Sequence, residues 1–188
     1  FDSFTKSNSP TILKTRFIDS YTKNKIVGVY DLNDDILNEK EEDEFNDKLL
    51  SSIGTYDITI VVDYGHGLIT PKIVKTVEDK SNFLAVNTQL NSFNIGYHTI
   101  SKYTNVDYVC VHEGELRHDY RNRYDTVEHL TKRLADRIES EVITITRGNM
   151  GSVVYKEGEF LECPAFAGKI VDRVGAGDTL LAITALCF

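Results

Sequence analysis

Ile58-Thr59-Ile60-Val61-Val62 is an apolar, β-branched run of strand length, cut off at once by Asp63-Tyr64-Gly65-His66-Gly67. Runs of this kind belong to parallel sheets, where crossover segments cover both faces. The pattern returns at Phe83-Leu84-Ala85-Val86, Asp107-Tyr108-Val109-Cys110-Val111 and Val142-Ile143-Thr144-Ile145-Thr146. Helical segments lie between these strands. Phe45, Leu49, Leu50 and Ile53 share one helix face that Gly54 ends, and Thr70-Pro71 opens a second helix with a cap and a proline at its first position. Asp125 and Glu128 make a capping box ahead of Val127, Leu130, Leu134 and Ile138, which keep helical spacing. Strands alternating with helices predict an α/β three-layer sandwich with a mainly parallel sheet. Loops at the carboxyl ends of such strands are where α/β proteins build sites.

At 188 residues the chain fits one domain with a proper core. A net charge of −8 argues against a nucleic-acid-binding surface, which needs clustered Lys and Arg. No apolar run approaches the roughly 20 residues of a membrane span, and no signal peptide opens the chain. Cys110, Cys163 and Cys187 are odd in number and widely spaced, and read as buried thiols of a reducing cytoplasm. The chain begins at Phe1 without Met and stops at Phe188 inside an apolar helical run, so the expectation is a fragment cut at both ends.

Near the amino end, residues 11–18 and 25–30 have strand character and pair across a turn at 21–24. Lys14 and Arg16 are either contacts for a phosphate or two solvated charges on an exposed face. Nine carboxylates and one Lys between Asp31 and Asp47 read as a solvated helix start, because no EF-hand spacing is present. Another hairpin turns at Glu157-Gly158.

The chemistry concentrates in Asp172-Arg173-Val174-Gly175-Ala176-Gly177-Asp178-Thr179, which runs into Leu180-Leu181-Ala182-Ile183. A glycine-rich turn that opens a helix presents backbone N–H groups, with the positive end of the helix dipole behind them, to an anion. Asp178, beside that cradle, is placed to take a proton from a hydroxyl that attacks phosphorus. The other reading is a glycine-lined loop with Asp178 as the helix N-cap. At the end of the last parallel strand, Arg147-Gly148-Asn149-Met150-Gly151 is either a plain turn or one whose glycines admit a nucleotide to the backbone. No Walker A sequence and no G-x-G-x-x-G pattern occurs.

The run from Asp172 to Asp178 resembles the D-x-x-G-A-G-D signature of the ribokinase-like (PfkB) sugar kinases. That resemblance implies Asp178 as catalytic base, and Gly175, Ala176 and Gly177 as an anion hole for the transferred phosphoryl group. Thr146, Gly148 and Gly151 resemble the T-x-G-x-x-G segment beside the nucleotide. The early hairpin is similar to the family's sugar-covering lid, and Lys14-Thr15-Arg16 to that of the heptose-phosphate kinase, or ADP-heptose synthase, branch. On that likeness Lys14, Arg16 and Asp63 belong to the substrate side. Asp63-Tyr64-Gly65-His66-Gly67 resembles D-Y-x-K-G with His66 in place of Lys. His112-Glu113-Gly114-Glu115 resembles N-x-x-E with His112 in place of Asn, which leaves Glu115 to organise Mg²⁺ through its water shell. The branch's Asp-Pro-Lys is absent at Asn87-Thr88-Gln89. Together these imply ATP and Mg²⁺, a sugar or sugar phosphate acceptor, a homodimer formed through the lid, and a fused nucleotidyltransferase domain in the longer chain. One kinase domain is expected over 1–188, with the hairpin at 11–30 and the α/β core at 45–188. The altered His66 and His112 positions keep a non-catalytic nucleotide-binding or assembly module open as the alternative.

Overall fold

The computed structural model describes residues 2–22, 24–91, 94–166 and 175–187. Leu13–Ile18 (β1) and Lys25–Asp31 (β2) form an antiparallel pair on their own. Glu39–Ser52 (α1), Thr59–Asp63 (β3), Pro71–Lys80 (α2), Leu84–Thr88 (β4), Tyr108–His112 (β5), Glu113–Asp119 (α3), Val127–Arg137 (α4) and Val142–Thr146 (β6) then alternate. Ser152–Lys156 (β7), Glu159–Cys163 (β8) and Ala176–Thr184 (α5) complete the described elements. The main sheet has the order β3-β4-β5-β6-β7-β8, parallel from β3 to β6 and antiparallel beyond.

Period-two alternation along the strands sorts the side chains into two cores. Val61, Val86, Val109, Val111, Ile143 and Ile145 face the helices, meeting Ile73 and Val77 of α2, Leu116 of α3, and Leu130 and Leu134 of α4. On the other face Ala85, Tyr108, Cys110 and Val142 meet Leu181 of α5 and the following Ala185. Tyr108 ties this layer down, with its hydroxyl 2.7 Å from Thr184 Oγ1 and 3.0 Å from Thr144 Oγ1. Helices on both sides of a mostly parallel sheet give the expected three-layer order.

Several local expectations need correction. The run at 58–62 is buried on one face only, because β3 is the sheet edge; Ile60 and Val62 stand exposed on the α5 side. In α1, Leu50 is exposed and Asn46 turns inward instead, accepting a hydrogen bond from Thr76 Oγ1 of α2. That helix stops at Ser52, and Gly54 lies in a separate turn after it. Its start carries a capping box that the acidic run concealed: Asn38 accepts from the Glu41 amide, and Glu41 accepts from that of Asn38. At α4 the N-cap is Thr126, whose hydroxyl accepts from the His129 amide at 3.2 Å. Asp125 falls one residue too early and bonds Asn122 instead. Only Cys110 is a buried thiol; Cys163 and Cys187 are exposed, one on the outermost strand and the other past the last helix.

The two core assignments differ sharply in consequence. Leu130→Ala is expected to cost about 2–5 kcal/mol, because the cavity lies inside a packed cluster. Leu50→Ala should change stability by about 0.5 kcal/mol or less. Urea denaturation of the two variants checks both values.

Candidate active site

Parallel strands deliver their carboxyl ends to one edge of the sheet, and the site is assembled there. Asp63 ends β3 with its side chain only 3% exposed. Its carboxylate accepts from Tyr103 OH at 2.8 Å and from the Gly65 amide at 3.0 Å, and it is ion-paired with Lys102. His98 Nε2 lies 3.0 Å from the Asp63 carbonyl oxygen and 3.7 Å from its carboxylate. Burial pushes the Tyr103 phenol far up, so that group donates to the carboxylate as a neutral hydroxyl. Sequence resemblance put Asp63 on the substrate side. The structure gives its carboxylate three partners within the protein, and the group thereby organises the loop that follows.

That loop aims Tyr64 across the edge. Its carbonyl accepts from Asn91 Nδ2 at 3.1 Å and from Asn94 Nδ2 at 3.0 Å, and its hydroxyl lies 3.3 Å from Asp178 Oδ2. Gly65 and Gly67 both have positive φ. At Gly67 the conformation also admits the chain at Asp35, whose carbonyl oxygen occupies the space a Cβ would need. His66 is not a solvated turn residue: its side chain is 9% exposed and its Nδ1 lies 2.6 Å from Asp34 Oδ1. A cleft of about 400 Å³ opens beside this loop, lined by Lys6, Asn33, Asp63, Tyr64 and His66 among others.

Gly175 is the N-cap of α5, with φ 79° and ψ 0°. The first bonds back to its carbonyl come from the amide and hydroxyl of Thr179. The amides of Ala176, Gly177 and Asp178 thus lie ahead of the first intrahelical bond, as the opening of any helix requires. Among the described residues nothing lies within 4 Å of where a Cβ would stand at Gly175 or Gly177. Asp178 occupies the third helical position, so the N-cap reading fails on geometry. Across the site its Oδ2 accepts from the Tyr64 hydroxyl. Asp172 to Val174, the first part of the motif, lie outside the described residues.

The ends of β5 and β6 stand side by side, with His112 in register with Thr146. Glu115 closes a capping box on His112, accepting from its amide at 2.7 Å, and reaches the Leu90 amide at 3.1 Å. Burial pushes its carboxyl above the usual range, and the Asp178 charge adds to the shift. A divalent cation fits two carboxylates that repel in this way. Among the described residues no group of three His, Cys, Asp or Glu forms a metal cage. Mg²⁺ keeps several water and phosphate ligands and is commonly held by one or two carboxylates. With both oxygens already on backbone amides, Glu115 would hold it through water.

Gly148 has φ 60° and open space beside it, whereas Gly151 is packed against the backbone of Cys163 to Ala165. Of the two glycines, Gly148 lies open to a ligand and Gly151 serves the hairpin. Arg147, unremarked in the sequence, bonds Glu113 at 3.1 Å beside this turn.

Lys14 leans from β1 with its Nζ 4.9 Å above the Tyr64 ring. Arg16 lies two residues on, opposite Gly28 and exposed to solvent. A hydrogen bond from Lys25 lowers the Tyr30 phenol, with further pull from Arg16 and Lys14, so this face of the hairpin is strongly cationic. The structure therefore brings Lys14, Asp63 and Asp178 together around Tyr64, a residue quoted in its motif yet given no role. Lys102, Tyr103 and His98 carried no signal, since only the tertiary approach of residues 94–103 to β3 brings them to Asp63.

A carboxylate in the first turn of a helix, at the carboxyl edge of a mostly parallel sheet and across Tyr64 from the Lys14 hairpin, belongs to an α/β protein with its site at the strand ends. The chain belongs to the pfkB family of carbohydrate kinases, whose family model, pfkB family carbohydrate kinase, matches residues 3–187. It is 26% identical over 179 residues to the bifunctional protein HldE of Helicobacter pylori, covering 92% of this chain and 37% of that protein. With the bifunctional protein HldE of Nitrobacter hamburgensis it shares 26% over 146 residues, 74% of this chain and 29% of the relative. The chain thus spans about a third of the length of these relatives. Among solved structures, tetrameric inhibited phosphofructokinase-2 from Escherichia coli aligns with a TM-score of 0.65 at 14% identity, over 87% of this chain and 53% of that one. Arabidopsis thaliana ribokinase complexed with ribose and ATP gives 0.60 at 15%, over 96% and 57%. At such identities the likeness is one of fold.

The Asp63 cluster makes a pH prediction. Burial lowers the His98 pKa, against the opposing pull of Asp63, so the fold holds the neutral ring. The unfolded chain binds a proton below about pH 6.5 that the folded chain refuses until lower pH. Stability from this group is therefore complete above that pH and is lost as pH falls through the depressed folded value. Melting temperatures should drop between about pH 7.5 and 5.5, and His98→Gln should flatten that slope.

Proposed function

We propose that the protein carries out ATP-dependent phosphoryl transfer to a hydroxyl of a sugar or sugar phosphate. The observation that carries this reading is Asp178 at the third position of α5, beside first-turn amides that precede the first intrahelical bond. Membership of the pfkB family supports it. The acceptor hydroxyl gives its proton to the Asp178 carboxylate, its oxygen bonds the γ-phosphorus, and the bond from that phosphorus to the ADP oxygen breaks. The Gly175, Ala176 and Gly177 amides face the charge that develops on the moving group, an effect strongest where water is excluded. Bound with the nucleotide, Mg²⁺ neutralises phosphate charge. Thr146 and Gly148 flank the nucleotide, Glu115 orients water toward the ion, and Lys14 and Arg16 bring positive charge to the acceptor.

The exposed apolar residues of the hairpin, including Phe17, Ile26 and Val29, support a homodimer through the lid. A two-stranded ribbon is marginal alone in water. The name bifunctional protein, carried by the relatives, supports a fused second domain in the longer protein, and a reaction that draws on ATP supports a cytoplasmic location. Among the described residues no helix is long and apolar enough to cross a membrane.

Asp178→Asn keeps size and removes the base. In the full-length protein kcat should fall by about 10²–10⁴, while the ATP Kd changes little because the cradle is backbone. An unchanged kcat with normal melting would remove Asp178 from catalysis.

Arg16→Ala separates two classes of acceptor. Loss of a charge-assisted contact should raise KM for a sugar phosphate by about ten- to a hundredfold, with far less effect on a neutral sugar. Equal losses on both acceptors would make Arg16 structural.

A further inference from the structure

Tyr64 stands where three independent elements meet. Its backbone is held from below: Asp63 on one side is locked into its cluster, and Asn91 and Asn94 both donate to the Tyr64 carbonyl. Its ring runs nearly parallel to the His66 ring, with centroids 6.4 Å apart and planes 5° apart. His66 is in turn fixed by Asp34, in the segment that follows the hairpin. From above, the Lys14 ammonium lies 4.9 Å from the ring centroid. The hydroxyl points at Asp178 Oδ2. One side chain therefore touches both the hairpin and the first turn of α5.

We propose that Tyr64 is a positioning residue that sets the Asp178 carboxylate and couples it to the hairpin. The inference rests on the reading of Asp178 as the base. Held through Oδ2, the carboxylate is left with Oδ1 to take the acceptor's proton, so the hydrogen bond selects one rotamer and one oxygen. Burial, with help from the Asp178 charge, raises the phenol, which keeps the group a donor at neutral pH. A length of 3.3 Å is long for an O–H···O contact, and catalytic hydrogen bonds of this kind tighten as the reacting groups come together. A cation over the ring draws electron density from the phenol oxygen and strengthens its O–H as a donor. Lys14 thus acts on the base through the ring, and a hairpin lifted away from the site withdraws that help.

The test uses the full-length protein with ATP and the best acceptor among ribose, fructose 6-phosphate and a heptose phosphate. Tyr64→Phe keeps the ring and loses the hydroxyl. Its kcat should fall about 10- to 100-fold, as expected for loss of a hydrogen bond to a charged group, with acceptor KM within about twofold. Placed on Asp178→Asn, the same change should alter kcat by less than about twofold, because the group it positions is gone. A merely structural role predicts the same loss in both backgrounds and a lowered melting temperature. Lys14→Met should reduce kcat in the wild type, with no further reduction on Tyr64→Leu. An equal Lys14→Met loss on that background overturns the coupling. Wild-type kcat in Tyr64→Phe, with kcat lost in Asp178→Asn, overturns the positioning role and leaves the base in place. Wild-type kcat in Asp178→Asn removes the base and this inference with it.

Discussion

A buried carboxylate at the end of β3 sets the geometry of the whole edge. Asp63 sits in an apolar sheet end, where an unpaired charge is expensive, and the fold answers with a phenol, an ammonium and a backbone amide. Those partners come from two directions. Gly65 turns the chain locally, while Lys102 and Tyr103 come from a segment some forty residues on, anchored by buried Ile100 and Val106. Satisfying one charge therefore fixes the direction of the loop after β3 and the docking of residues 94–103. Lys102 also donates to the Ile69 carbonyl at 3.0 Å, which holds the far end of the same loop ahead of α2. The site is as rigid as this cluster.

Onto that rigid base the chain sets parts that differ in how they are held. Asp178 is supported by a nine-residue helix anchored through Leu181, Thr184 and Ala185 to β4 and β5. The hairpin is an exposed two-stranded ribbon, and Lys14 over the Tyr64 ring joins it to the edge. Such an arrangement suits phosphoryl transfer, where catalysis is positioning and charge stabilisation. In the proposed reaction the carboxylate is the part held still, and the ribbon is the part free to move.

How much of this could be read from residues alone follows from the range of each interaction. Strand and helix order was legible because burial imposes a local period, and the Thr70-Pro71 start and the Glu157-Gly158 hairpin carry their own backbone chemistry. Residues 58–62 misled because a β-branched run looks the same at a sheet edge as at its centre. Cap positions slipped by one residue at Thr126 since Asp125 and Thr126 are both good caps, and only the Asn122 contact decides between them. The Gly175–Asp178 segment was legible, with Gly175 in the left-handed region that favours glycine. Gly151 was not separable from Gly148 in sequence, because its demand comes from residues 163–165 packed against it. Pairings such as His66 with Asp34 and Tyr64 with Asp178 join residues far apart in the chain, and no spacing announces them.

The proposed reaction at this edge is phosphoryl transfer from ATP to a sugar hydroxyl. Phosphorus NMR of the full-length protein with Mg²⁺, ATP and each candidate sugar follows that event directly. The account predicts ADP and a new phosphate ester appearing in equal amounts, only when an acceptor sugar is present. ATP that binds but stays intact with every neutral and phosphorylated sugar, or ADP formed with inorganic phosphate alone, would contradict it.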